Sequence, residues 1–112
     1  MKSEIVDRGD VRFIKLSGKI TIGSGDVELR HLVHSALDDG KKKIVLDLGK
    51  VSTIDSSGIG EMVAAYTSVA KRDGQLKLMH LPSKINDILQ VTQLITVFDV
   101  LDSDEEVMSS FS

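Results

Sequence analysis

Apolar and polar positions change period several times along the chain. Residues 4–7 and 11–16 read as two strands joined by Arg8-Gly9-Asp10, a turn in which the glycine is free to take positive φ. The second run partly alternates, so the pair is expected as an antiparallel hairpin at one edge of a sheet. Ser17-Gly18 and Gly23-Ser24-Gly25 bracket Lys19-Ile20-Thr21-Ile22, which reads as a short strand or an extended loop. Leu29, Leu32, Val33, Ala36 and Leu37 then recur at helical spacing, with Asp26 and Glu28 near the start and Gly40 just past the end.

Ile44 to Leu48 is a short apolar run between polar turns, the pattern of a central parallel strand covered on both faces. A turn containing Asp55-Ser56-Ser57-Gly58 follows. Ile59, Met62, Val63, Tyr66, Val69 and Ala70 give the next helix one apolar stripe, ended by Asp73-Gly74. Leu76 to Met79 is the next strand. Pro82 suits the first turn of a third helix, whose buried face would be Ile85, Ile88 and Leu89. Leu94 to Val100 contains a β-branched run, read as an edge strand around Thr96-Val97-Phe98. Ser103 and Glu106 form a capping box for a last helix carrying Val107, Met108 and Phe111.

Strands alternating with helices imply parallel pairing through right-handed crossovers. The expected fold is a small single-domain α/β structure over residues 1–112. Its sheet is mixed and mostly parallel, with an N-terminal hairpin and about four helices.

Composition narrows the function more than the fold. Aromatic residues are 4% of the 112, with no Trp, so the core must be aliphatic. The net charge of −3 argues against nucleic acid, which would need a basic stripe. The run Lys41-Lys42-Lys43 sits where a helix ends and reads as a solvated helix C-terminus. The absence of Cys excludes disulfides and thiolate metal sites and agrees with a cytoplasmic location. Neither a signal peptide nor an apolar run of membrane-spanning length is present, so direct membrane insertion is not expected.

Catalytic constellations are weak. His31 and His34 are three apart, a spacing that can support metal ligation, but they lie opposite the core stripe and lack a third ligand. His80 ends a strand, where a local hydrogen bond is the simpler reading. The serines at 56 and 57 are preceded by Ile54-Asp55, not by the Gly-x of a nucleophile elbow, and no phosphate-cradling Gly-x-x-x-x-Gly-Lys run exists. No cofactor is implied. The turn itself offers backbone N–H donors and positive dipole potential where a strand meets a helix. It could be a plain N-cap, with Asp55, Ser56 or Ser57 as the capping residue. Local chemistry favours that plain cap over the alternative, a modification switch. Gly58 and Gly60 would keep the turn low in profile so that another protein can approach.

The run Val51 to Gly60, preceded by Lys43 to Leu48, resembles the STAS-domain family, specifically bacterial anti-sigma factor antagonists. The likeness extends through Leu16-Ser17-Gly18-Lys19-Ile20, Gly74 to Leu78 and Val97-Phe98. The resemblance implies that the serine directly after the Asp, Ser56, is phosphorylated by a partner serine kinase that is also the anti-sigma factor. Ser57 would help cap the helix, and Asp55 would orient the turn or contact the kinase. The partner surface would comprise Asp55, Ser57, Gly58, Ile59 and Gly60 together with the loop Thr21, Ile22, Gly23 and Ser24. That loop departs from the acidic residue common in the family after the Leu-x-Gly-x-apolar segment, which bears on partner choice rather than on fold.

The implied mechanism is partner switching. The dephosphorylated protein binds the kinase and frees a sigma factor. The kinase, carrying its own ATP and magnesium, phosphorylates Ser56 and releases it, and a serine phosphatase resets the switch. A competing expectation is a STAS-like accessory subunit of a membrane transporter or another signalling complex. An enzyme built on Asp55 and Ser56 has no paired base to support it.

Overall fold

The computed structural model describes residues 1–111. Five strands form one sheet in chain order: β1 (Lys2–Arg8), β2 (Val11–Ile20), β3 (Lys43–Ile54), β4 (Gln75–Met79) and β5 (Asp99–Leu101). β1 pairs antiparallel with β2, and every later pairing is parallel. Four helices connect or follow them: α1 (Gly25–Asp38), α2 (Ser56–Lys71), α3 (Ser83–Val91) and α4 (Asp104–Phe111). The expected hairpin edge, mostly parallel sheet and four helices are all present. No helix among the described residues is long and apolar enough to cross a membrane.

Side-chain alternation divides the interior in two. Ile14 and Leu16 of β2 and Ile44, Leu46 and Leu48 of β3 face α1, α2 and α3, meeting Leu29, Val33, Met62, Val69, Ile85 and Leu89. Val11, Phe13, Val45 and Met79 point the other way and are covered by Val107 of α4. β3 is thus buried on both faces over Ile44 to Leu46, as its continuous apolar run requires.

Four details differ from the sequence reading. β2 runs without interruption through Ser17-Gly18 to Ile20, because a register shift absorbs Gly18 at φ +90°. β3 continues past Leu48 to Ile54. Ala65, rather than the exposed Ala70, completes the buried stripe of α2. The last strand is Asp99–Leu101, whereas Leu94–Thr96 forms a 3-10 turn entered through Gln93 at φ +62°. Burial decides that last difference. Phe98 reaches the core and meets the Tyr66 ring edge-on at 5.6 Å, so pairing with β4 starts only at the following residue.

Half of the α4 capping box forms as the Ser103/Glu106 spacing predicts, while the Glu106 side chain reaches one residue further back than the box requires. The Glu106 N–H donates to Ser103 Oγ at 3.2 Å, and the Glu106 carboxylate accepts from the Asp102 N–H at 3.4 Å.

Candidate functional site

Ile20 and Ile54 are adjacent in register, so β2 and β3 end side by side. The chain leaves both at the same sheet edge, through residues 21–24 into α1 and through Asp55 into α2. Loops at the carboxyl ends of parallel strands are where α/β folds place their binding sites. The structure therefore brings together the two segments named from sequence, Thr21 to Ser24 and Asp55 to Gly60.

Asp55 is the residue that joins them. Its backbone is extended, at φ −109° and ψ −175°, and it is the N-cap of α2. Oδ1 accepts from the Gly58 N–H at 3.0 Å. Oδ2 accepts from the Ile22 N–H, also at 3.0 Å. The Asp55 N–H donates in turn to the Ile20 carbonyl at 3.4 Å. Only a carboxylate offers two oxygens that both accept without a donor between them. The Gly58 N–H lowers the Asp55 pKa most, and the Ile22 N–H lowers it further.

The cap is thus Asp55, not Ser57. Ser57 occupies the second helical position, half-buried, and its side chain makes no hydrogen bond among the described residues. Ser56 is the first residue of the helix and is exposed. Its hydroxyl has no hydrogen-bond partner among the described residues, while Asp55 beside it is fully engaged.

The two glycines have different reasons to be there. Gly58 is buried, and an added Cβ would overlap the Ile20 carbonyl oxygen and lie 2.6 Å from Ile54 Cγ1. Its missing side chain lets α2 close onto β2, so it does not flatten the surface for a partner as the sequence suggested. Gly60 is exposed with open space around it.

Ile22 stands out on the surface at 73% exposure, pinned at its own N–H by Asp55. Ile59 is half-buried against the main core. Gly23 adopts φ +91° in the loop. Ser24 precedes α1 without capping it through its side chain, and its carbonyl accepts from the Glu28 N–H at 2.9 Å. Arg30 of α1 donates two hydrogen bonds to Glu61 Oε1 of α2, at 3.1 and 2.5 Å, tying the two helices behind the site.

Sequence reading missed both ties, Asp55–Ile22 and Arg30–Glu61. Each joins residues about thirty positions apart, and nothing in local spacing marks them. His31 and His34 are exposed on α1, as expected. His80 bonds Asp47 at 3.2 Å across the sheet rather than locally.

A STAS domain model matches residues 2–107. The chain belongs to the STAS domain family. It is 30% identical over 87 residues to the anti-sigma-B factor antagonist of Bacillus subtilis, covering 78% of each chain. It is 25% identical over 75 residues to BtrV of Bordetella bronchiseptica, spanning 65% of that protein's length. Among solved structures, SpoIIAA of Bacillus in its phosphorylated form matches at TM-score 0.77 and 18% identity, over 99% of this chain and 100% of that one. A sulfate transporter family protein of Wolinella succinogenes matches at TM-score 0.78 and 18% identity, over 94% and 87%. At these identities the two structural likenesses speak for the fold alone.

Proposed function

We propose that this STAS domain is a phosphorylation-controlled anti-sigma factor antagonist, acting in the cytoplasm as a binding module rather than a catalyst. Its phosphoacceptor is Ser56. The observation that carries this reading is the contrast within the turn: Asp55 is committed to two backbone N–H groups, whereas the Ser56 hydroxyl is exposed and unbonded. The kinship with an anti-sigma-B factor antagonist supports the same reading.

In the unmodified state the Ile22 loop and the α2 start form a low surface around an apolar tip. An anti-sigma factor with serine kinase activity docks there and gives up its sigma factor. Ser56 Oγ then attacks the γ-phosphorus of the kinase's magnesium-bound ATP. A P–O bond to Ser56 forms, the bond to ADP breaks, and the hydroxyl proton passes to a kinase base. The product carries about −1.5 to −2 charges in the middle of the contact. Losing about 2.8 kcal/mol there weakens binding roughly a hundredfold. A serine phosphatase hydrolyses the ester and restores the surface. Asp55 holds the turn, and Ser57, Gly58, Ile59 and Gly60 with Thr21, Ile22, Gly23 and Ser24 make up the proposed contact surface.

The second reading, an accessory domain of a membrane transporter, is consistent with the fold shared with the Wolinella protein. Affinity isolation from the native cell separates the two. Recovery of a soluble ATP-binding kinase that is released on adding ATP supports the switch. Recovery solely with a membrane complex would overturn it.

A further inference from the structure

The face of the sheet that carries α4 is only partly covered. Beyond Phe13 and Val45 lies an open cleft of about 510 Å³, lined by Lys2 and Glu4 of β1, Lys15 of β2, Asp47 and Lys50 of β3, and His80 after β4. It lies on the opposite face of the sheet from α1 and α2, the helices that flank the Ser56 turn.

The floor is shaped by a bulge. Register passes from Lys15↔Asp47 to Ser17↔Lys50, so two steps along β2 match three along β3. Strict alternation from Val45 and Asp47 would send Lys50 into the main core and Val51 into the cleft. The extra residue reverses this: Val51 is 5% exposed in the main core and Lys50 lines the cleft. Gly49 sits at the bulge, where a Cβ would be 3.1 Å from His80 Cβ and 3.2 Å from Asp47 Oδ1. Its N–H donates to Asp47 Oδ1 at 3.0 Å, and His80 Nδ1 meets the same oxygen at 3.2 Å. Asp47 Oδ1 is therefore shared by the bulge and by His80.

Lys2, Lys15 and Lys50 make no ion pair among the described residues, although Lys15 sits in register between Glu4 and Asp47. By contrast, the other large lysine group is partly neutralised, with Lys41 on Asp7 and Lys43 on Asp10. Three ammonium groups on three neighbouring strands face two carboxylates, Glu4 and Asp47, so the cleft keeps one net positive charge and three cationic donors open to solvent. Such point-charge donors suit the oxygens of phosphate groups.

We infer that this cleft is a second binding site, taking a small multivalent anion of the phosphate class. The test is titration of the intact chain with inorganic pyrophosphate at low salt, followed by calorimetry and by backbone amide NMR. Saturable binding is expected, with shifts centred on Lys15, Ser17, Gly49 and Lys50. Lys15→Met combined with Lys50→Met should weaken it about tenfold or more, and Glu4→Gln should tighten it. Lys41→Met and Ser56→Ala should leave it unchanged, so this site and the phosphorylation switch are tested separately. Circular dichroism establishes that each variant is folded. Absence of saturable binding at millimolar pyrophosphate, shifts centred on Lys41 to Lys43, or a folded double variant that binds as well as the parent would each overturn the inference.

Discussion

Asp55 and Ile22, 33 positions apart, are joined by a hydrogen bond from the Ile22 N–H to Asp55 Oδ2. The other oxygen of the same carboxylate caps α2. One side chain therefore sets the position of the loop before α1 and the start of the helix that displays Ser56.

This division of labour predicts how two substitutions differ. Asp55→Ala removes both acceptors, so amide hydrogen exchange should accelerate at Ile22 and Gly58 and the melting temperature should fall. Asp55→Asn keeps one carbonyl oxygen for the Gly58 N–H but turns an NH2 toward the Ile22 N–H. Exchange should then accelerate at Ile22 while Gly58 stays protected. Equal loss at both amides in the Asn variant would contradict the two-acceptor arrangement.

The same hydrogen bonds make the site sensitive to acid. They depress the Asp55 pKa, so the stability they supply is complete above the unfolded-chain value, near 4. It is lost as the pH falls below that value and through the folded one. Thermal melts of the parent and Asp55→Ala should therefore differ most at neutral pH and converge under strong acid. A difference that grows on acidification would run against the assigned direction.

Gly58 and Gly60 lie two residues apart in one helix and should respond with opposite sign. Gly58→Ala drives a methyl into the Ile20 carbonyl and Ile54, an overpacking costing about 1–3 kcal/mol. Gly60→Ala meets open space, and the better helix propensity of Ala should stabilise by about 0.5–1 kcal/mol. Denaturant melts of the two variants give both values.

Much of this was legible in the chain, and the exceptions have physical reasons. Ile44 to Leu48 reads as a central strand because both its faces are buried, and Leu29 to Leu37 reads as a helix because one face is. Leu94 to Phe98 misleads: its β-branched residues suit a strand, yet burial of Phe98 against Tyr66 delays pairing to Asp99. At the site, Asp55-Ser56-Ser57 offers three chemically plausible caps. Only the position of Ile22, reached through the fold, shows that the carboxylate has two partners. Gly58 looks like a surface glycine until Ile20 is placed beneath it.

Ile22 should matter for partner binding but not for folding. It is 73% exposed, so Ile22→Ser should leave the melting temperature nearly unchanged. Covering its side chain in a complex is worth about 1.5–3 kcal/mol, so the variant should bind the kinase roughly ten- to a hundredfold more weakly. Unchanged affinity in a titration would remove Ile22 from the contact surface.

The central claim is that Ser56 is the acceptor. The most direct measurement is intact mass after incubation with the cognate kinase and ATP, followed by mapping of the peptide spanning residues 51–71. One added phosphate is expected on the parent and on Ser57→Ala, located at Ser56, and none on Ser56→Ala. A phosphate still gained by Ser56→Ala, or mapped to Ser57 in the parent, would contradict the account.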